Sequence, residues 1–183
     1  MNIRTLRRSA CRSGAVLATT LAFATAGLAL APAAQAMDLT VETGSLSFSG
    51  DTGDWVTGGN SYAYSTAAQD RLGVYGSTDN GLVRVSVNAA DGAWWTLDLA
   101  APSGTPLAPG TYTGATASGS NGPTEPGLSL SGNGKGCSTL TGSFTVQDVE
   151  FGPQGYVQKL DATYEQHCSG AEAALRGEVH IAN

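Results

Sequence analysis

The stretch LVRVSVN-AADG-AWWTLDL (82–99) constrains the fold more than any other part of the chain. In an extended segment, successive side chains point to opposite faces. Val83, Val85 and Val87 therefore share one side, and Arg84, Ser86 and Asn88 share the other. Trp95, Leu97 and Leu99 repeat the pattern after the Asp91-Gly92 turn, with Trp94, Thr96 and Asp98 facing outward. This is a β-hairpin with one wet face and one dry face. The same two-residue rhythm predicts further strands in DLTVE (38–42), SLSFS (45–49), SYAYS (61–65), RLGVY (71–75), GLSLS (127–131), GSFTVQDVEF (142–151), YVQKLDATYEQHC (156–168) and ALRGEVHIA (174–182). No convincing amphipathic helix interrupts them. APSGTPLAPG (101–110) reads as a Pro/Gly connection crossing between sheets, and 114–126 as a long exposed polar loop. The expected fold class is all-β, a single antiparallel β-sandwich of jelly-roll or immunoglobulin-like type over residues 37–183.

Residues 1–36 read as a cleaved signal peptide. Arg4, Arg7, Arg8 and Arg12 precede the apolar run 14–30, and Ala34-Gln35-Ala36 is a small-residue cleavage pattern. The apolar run is short for a membrane span. Export to the extracellular space is expected, with no membrane association after cleavage. The whole chain has nine basic and fifteen acidic residues and a formal charge of −6; without the four leader arginines the charge is −10. The remaining basic residues, Arg71, Arg84, Lys135, Lys159 and Arg176, form no stripe. Such a chain repels nucleic acid and anionic membranes.

Cys11 departs with the leader, leaving Cys137 and Cys168. An even count in an exported chain predicts a disulfide. Alternation along 160–168 supports this. Leu160, Ala162, Tyr164, Gln166 and Cys168 share the core phase, and Asp161, Thr163, Glu165 and His167 face water. Adjacent His167 and Cys168 point to opposite faces and do not form a nucleophilic dyad.

GDWVTGG (53–59), WWTLDLAAPSGTPLAPGTYTGA (94–115), GNGKGC (132–137), GSFTV (142–146) and YEQHCSG…ALRG (164–177) together look familiar. The chain resembles an uncharacterised domain of secreted and surface proteins of bacteria, including actinobacteria. That resemblance implies export, a β-rich domain and the cysteine pair, and it implies no catalytic residue.

Three sites are candidates. Glu165, His167, Glu178 and His180 would converge as a zinc or copper site if 167 stood opposite 178 and 165 opposite 180; otherwise they are cross-strand pairs on a solvated face. Trp94, Trp55, Tyr62 and Tyr64, with Tyr75, would stack on sugar rings where exposed and fill the core where not. Asp51 and Asp54 in GDTGDWVTGGN (50–60) suggest calcium, against the plainer reading of a Gly-rich turn carrying acids. SGNGKGC (131–137) lacks the phosphate-loop pattern and reads as a tight turn leading to the disulfide. No G-x-S-x-G elbow occurs, and only two histidines remain for a triad. No cofactor is required by these patterns. The expected function is a secreted, non-catalytic binding module for a glycan or cell-wall polymer. A secreted protein-binding or inhibitor role, using the loop at 114–126, is the second reading. A metal-dependent or paired-carboxylate enzyme is the third.

Overall fold

The computed structural model describes residues 39–183; the signal peptide expected over 1–36 lies outside the described residues. Eleven strands follow in order: β1 (Leu39–Thr40), β2 (Thr43–Gly50), β3 (Ser61–Ser65), β4 (Arg71–Gly76), β5 (Leu82–Asn88), β6 (Trp94–Ala100), β7 (Gly110–Ala117), β8 (Gly127–Gly132), β9 (Leu140–Phe151), β10 (Val157–Cys168) and β11 (Ala174–Ala182). Two 3₁₀ turns, Thr66–Ala68 and Pro153–Gly155, are the only helical elements among the described residues. The all-β expectation holds. The sandwich is met only in part, because the strands form one continuous sheet in the order β1-β4-β5-β6-β8-β7-β9-β10-β11-β2-β3. The sheet curls on itself as a half-barrel.

Strand β7 makes the sheet continuous. The sequence offered it as part of a connection and an exposed loop, since GTYTGATA is small, polar and largely solvent-facing. Its first part pairs antiparallel with β9, from Gly110 opposite Val146 to Ala115 opposite Gly142. Its last two residues pair in parallel with β8, Thr116 with Gly127 and Ala117 with Leu128. The change of partner follows a bulge between Thr113 and Ala115. Gly114 sits there at φ +68°, a left-handed conformation that a side chain disfavours.

The inner face of the curl holds the core. Alternation places Val83, Val85, Val87, Trp95, Leu97 and Leu99 there, as the hairpin pattern predicts, and the same holds for Leu160, Ala162, Tyr164 and Cys168. Trp95 joins the two halves. Its ring meets Phe48 edge-on at 4.7 Å and Tyr62 at 5.1 Å, and its Nε1 donates to Tyr64 Oη at 2.8 Å. Gln166, a polar residue in the core phase, is fully buried. Its amide closes a second link, accepting from Leu130 N at 2.8 Å and donating to Leu130 O at 3.1 Å. A buried amide is tolerable only when its groups are paired in this way. On the outer face Asp98 is also nearly buried, because Arg84 clamps it in two bonds of 2.7 and 2.8 Å.

The Cys137–Cys168 disulfide is formed, with Cα atoms 5.0 Å apart. It ties the end of β10 to the connection between β8 and β9.

Candidate ligand site at the loop end

The connections β2–β3, β5–β6, β8–β9 and β10–β11 all return at one end of the half-barrel, as the strand registers require. The β2–β3 connection is built around Asp54. Its Oδ2 accepts from Thr57 N at 2.7 Å and from Thr57 Oγ1 at 2.5 Å. That turn drives Val56 and Thr57 into full burial and swings the intervening face outward, so Trp55 stands 63% exposed. Asp51 fastens the same connection to β11 through Ala174 N at 3.1 Å and Arg176 Nη1 at 3.2 Å.

The β8–β9 connection opens with a two-residue turn. Gly132 N reaches Lys135 O at 2.9 Å, Lys135 N reaches Gly132 O at 2.8 Å, and Asn133 and Gly134 both have positive φ. Asn-Gly favours this geometry, so the tight-turn reading of 131–137 holds. Asn133 also grips the start of β6: its Oδ1 accepts from Trp94 N at 3.0 Å, and its N donates to Trp94 O at 3.1 Å. Trp94 is thereby held at the same end, 48% exposed. Between the β2–β3 turn and the disulfide lies a cleft of about 360 Å³. Asp54, Trp55, Ser138, Ser169, Ala171 and the Cys137–Cys168 bridge line it.

The predicted aromatic set therefore divides. Trp55 and Trp94 are the large exposed apolar side chains among the described residues. Tyr64 belongs to the core, buried against Trp95, and Tyr62 is half-buried, stacking on Phe48 at 5.0 Å at the edge of a second cleft. Alternation puts both on one face of β3, and the structure shows that their partner across the curl is Trp95. Tyr75 is half-buried on β4, opposite Arg84.

The four proposed metal ligands share the outer face of β10 and β11, but the register that would make them converge is not adopted. His167 stands opposite Ala174, Glu165 opposite Arg176, Thr163 opposite Glu178, and Asp161 opposite His180. Two separate clusters result. In one, Glu165 receives Arg176 Nε at 2.6 Å and lies 3.1 Å from His167 Nε2. In the other, His180 Nδ1 lies 2.7 Å from Asp161 and His180 Nε2 lies 3.9 Å from Glu178. Among the described residues, no three His, Cys, Asp or Glu side chains gather in a metal-binding arrangement. Asp51 and Asp54, the calcium candidates, are likewise engaged by Arg176 and Thr57. Ser45 stands opposite His180, which makes a Ser45–His180–Asp161 row, but no hydrogen bond joins Ser45 to His180 among the described residues.

Arg176, which sequence reasoning passed over as one scattered cation, is the hub of a surface network. The hydrogen bond from Ala174 N and then the Arg176 guanidinium hold the Asp51 carboxyl below its ordinary pKa. The His167 and Arg176 hydrogen bonds do the same for Glu165. A carboxylate with a depressed folded-state pKa contributes stability above its unfolded pKa and loses it as pH falls through the folded value. The melting temperature is therefore expected to decline as pH is lowered from about 5 to 3. Arg176→Met should flatten that decline. Calorimetric melts across this range check it, and an unchanged slope in the variant would remove the network from the account. The groups are exposed, so the effect is modest.

No family model matches the chain, and no curated protein or solved structure is significantly similar to it. The functional reading consequently rests on the residues and their geometry.

Proposed function

We propose that the protein is an exported, non-catalytic module that binds a glycan or cell-wall polymer at the loop end of the half-barrel. The observation that carries this reading is the pair of exposed indoles, Trp55 and Trp94, each held in place by hydrogen-bonded turns at the same end of the fold. Rings of this size are normally buried, and an apolar face with a polar edge suits the alternating apolar and hydroxyl surfaces of a pyranose. The cleft beside Trp55 falls within the size range of small-ligand sites. Export agrees with the basic and apolar leader pattern and with a disulfide that would not persist in a reducing compartment.

The enzyme reading has less support. Glycoside hydrolysis needs two carboxyl groups about the scissile bond; Asp54 is the one acid lining the Trp55 cleft among the described residues, and the two acids of a larger cleft of about 610 Å³, Glu165 and Glu178, are engaged by Arg176 and Ser47. The protein-binding reading would use the loop at 114–126, the first four residues of which belong to β7. That segment is pinned rather than loose, with Asn121 Nδ2 donating to Glu125 O at 2.9 Å and Thr116 Oγ1 donating to Glu125 Oε2 at 3.1 Å.

Trp55→Ala and Trp94→Ala should each weaken binding of a soluble cell-wall polysaccharide by about tenfold while leaving the melting temperature nearly unchanged. Affinity electrophoresis with thermal melts reads both quantities. Full retention of affinity in the double variant would defeat the proposal.

A further inference from the structure

We infer that the Trp55 cleft selects a sugar ring that donates a hydrogen bond, neutral or amino rather than acidic, and that the free Oδ1 of Asp54 is the acceptor. This rests on the glycan reading above and names the class of ring that the cleft takes. Asp54 is only 3% exposed, and the turn uses one of its two oxygens. The other, Oδ1, is buried with no hydrogen-bond partner. An ionised carboxylate only accepts, and a buried acceptor left unpaired is costly. Native interiors rarely leave such a group without a reason.

Its position supplies the reason. Asp54 lines the same cleft as Trp55, its neighbour in sequence. Consecutive residues of one turn thus place a buried, unpaired acceptor in the wall of the cleft beside a flat apolar platform. A pyranose stacked on the indole carries hydroxyl donors around its edge, and an amino sugar carries an ammonium. Either satisfies Oδ1. A uronate instead brings a second carboxylate toward a buried one, and like charges at close range repel strongly where water is scarce. Ser138 and Ser169 hydroxyls also line the cleft and can donate or accept, so they do not discriminate. Among the described residues, no lysine or arginine lines it to offset an acidic ring.

The test is calorimetric titration of the protein with cellotetraose, the chitosan tetramer and tetragalacturonate. The neutral and amino sugars should bind, and the uronate should bind at least about tenfold more weakly. Asp54→Asn keeps the turn, because the amide oxygen still accepts from Thr57, but it replaces the bare oxygen with an NH₂ donor. It should weaken the first two sugars by about tenfold to a hundredfold and narrow their lead over the uronate. The wild-type ordering reads the same selectivity without any substitution, so it survives a variant that folds poorly. Uronate binding as tight as cellotetraose, or Asp54→Asn binding all three like wild type while Trp55→Ala loses them, would overturn the assignment and leave the glycan reading standing. Failure of all three sugars to bind the wild-type protein would overturn both.

Discussion

Trp95→Ala is expected to destabilise the protein by about 3–5 kcal/mol, the range for removing a fully buried large aromatic ring. Trp95 is 1% exposed and lies where the two limbs of the curled sheet meet. Its loss removes the edge contact to Phe48, the contact to Tyr62 and the 2.8 Å bond to Tyr64 Oη in one step. Tyr64 is itself buried, so its hydroxyl loses its donor without gaining ready access to water. The indole Cε3 sits 2.4 Å from the place a Cβ would occupy on Gly132. Glycine at 132 is what lets the ring lie that close to the strand. Trp95→Phe should cost less, since it retains much of the apolar contact and forfeits mainly the hydrogen bond. Urea denaturation followed by far-ultraviolet circular dichroism measures both variants. An alanine variant within about 1 kcal/mol of wild type would mean that the limbs are held together elsewhere.

The second large effect concerns the disulfide. Replacing Cys137 and Cys168 together by serine is expected to cost about 2–5 kcal/mol. The bridge spans 31 positions of sequence, so its removal releases a long loop in the unfolded chain. In the folded chain it anchors the β8–β9 connection, which otherwise relies on short turns such as the Gly132–Lys135 pairing. Because the bridge lines the Trp55 cleft, the same substitution should also weaken ligand binding, by loosening that wall. Equilibrium unfolding of the oxidised protein against the double-serine variant reads the stability term. Equal midpoints would show that the connection is held without the covalent link.

Both effects trace to features of unequal legibility. Cys168 and Trp95 are assigned to the core by simple alternation, and the structure agrees. The pairing of Cys137 with Cys168 follows from their being the two cysteines outside the expected signal peptide. Tyr62 and Tyr64 were harder, because an aromatic in a strand looks the same whether it faces a ligand or the opposite limb of the sheet. Trp55 and Trp94 were separated from them by loop geometry: the Asp54–Thr57 turn and the Asn133 clamp turn those indoles outward. The open Oδ1 of Asp54 has no sequence signature, since it depends on which oxygen the turn consumes.

What the amino-acid order determined by itself is the alternation: which side chains of each strand are dry, and hence an all-β chain with one disulfide bridge. That information is local, because the pleat has a period of two and each strand carries its own record. Two matters were decided only by tertiary structure. One is the closure of the sheet through β7, where a polar, Gly-broken segment with almost no apolar pattern becomes a strand because β8 and β9 offer it partners on both sides. The other is the register of β10 against β11. Sliding that pair by two residues leaves every side chain on its original face, so the hydrophobic pattern is blind to the choice. The tight return through 169–173, with Ser169 and Gly170 both at positive φ, selects Glu165 opposite Arg176 and parts the two histidines.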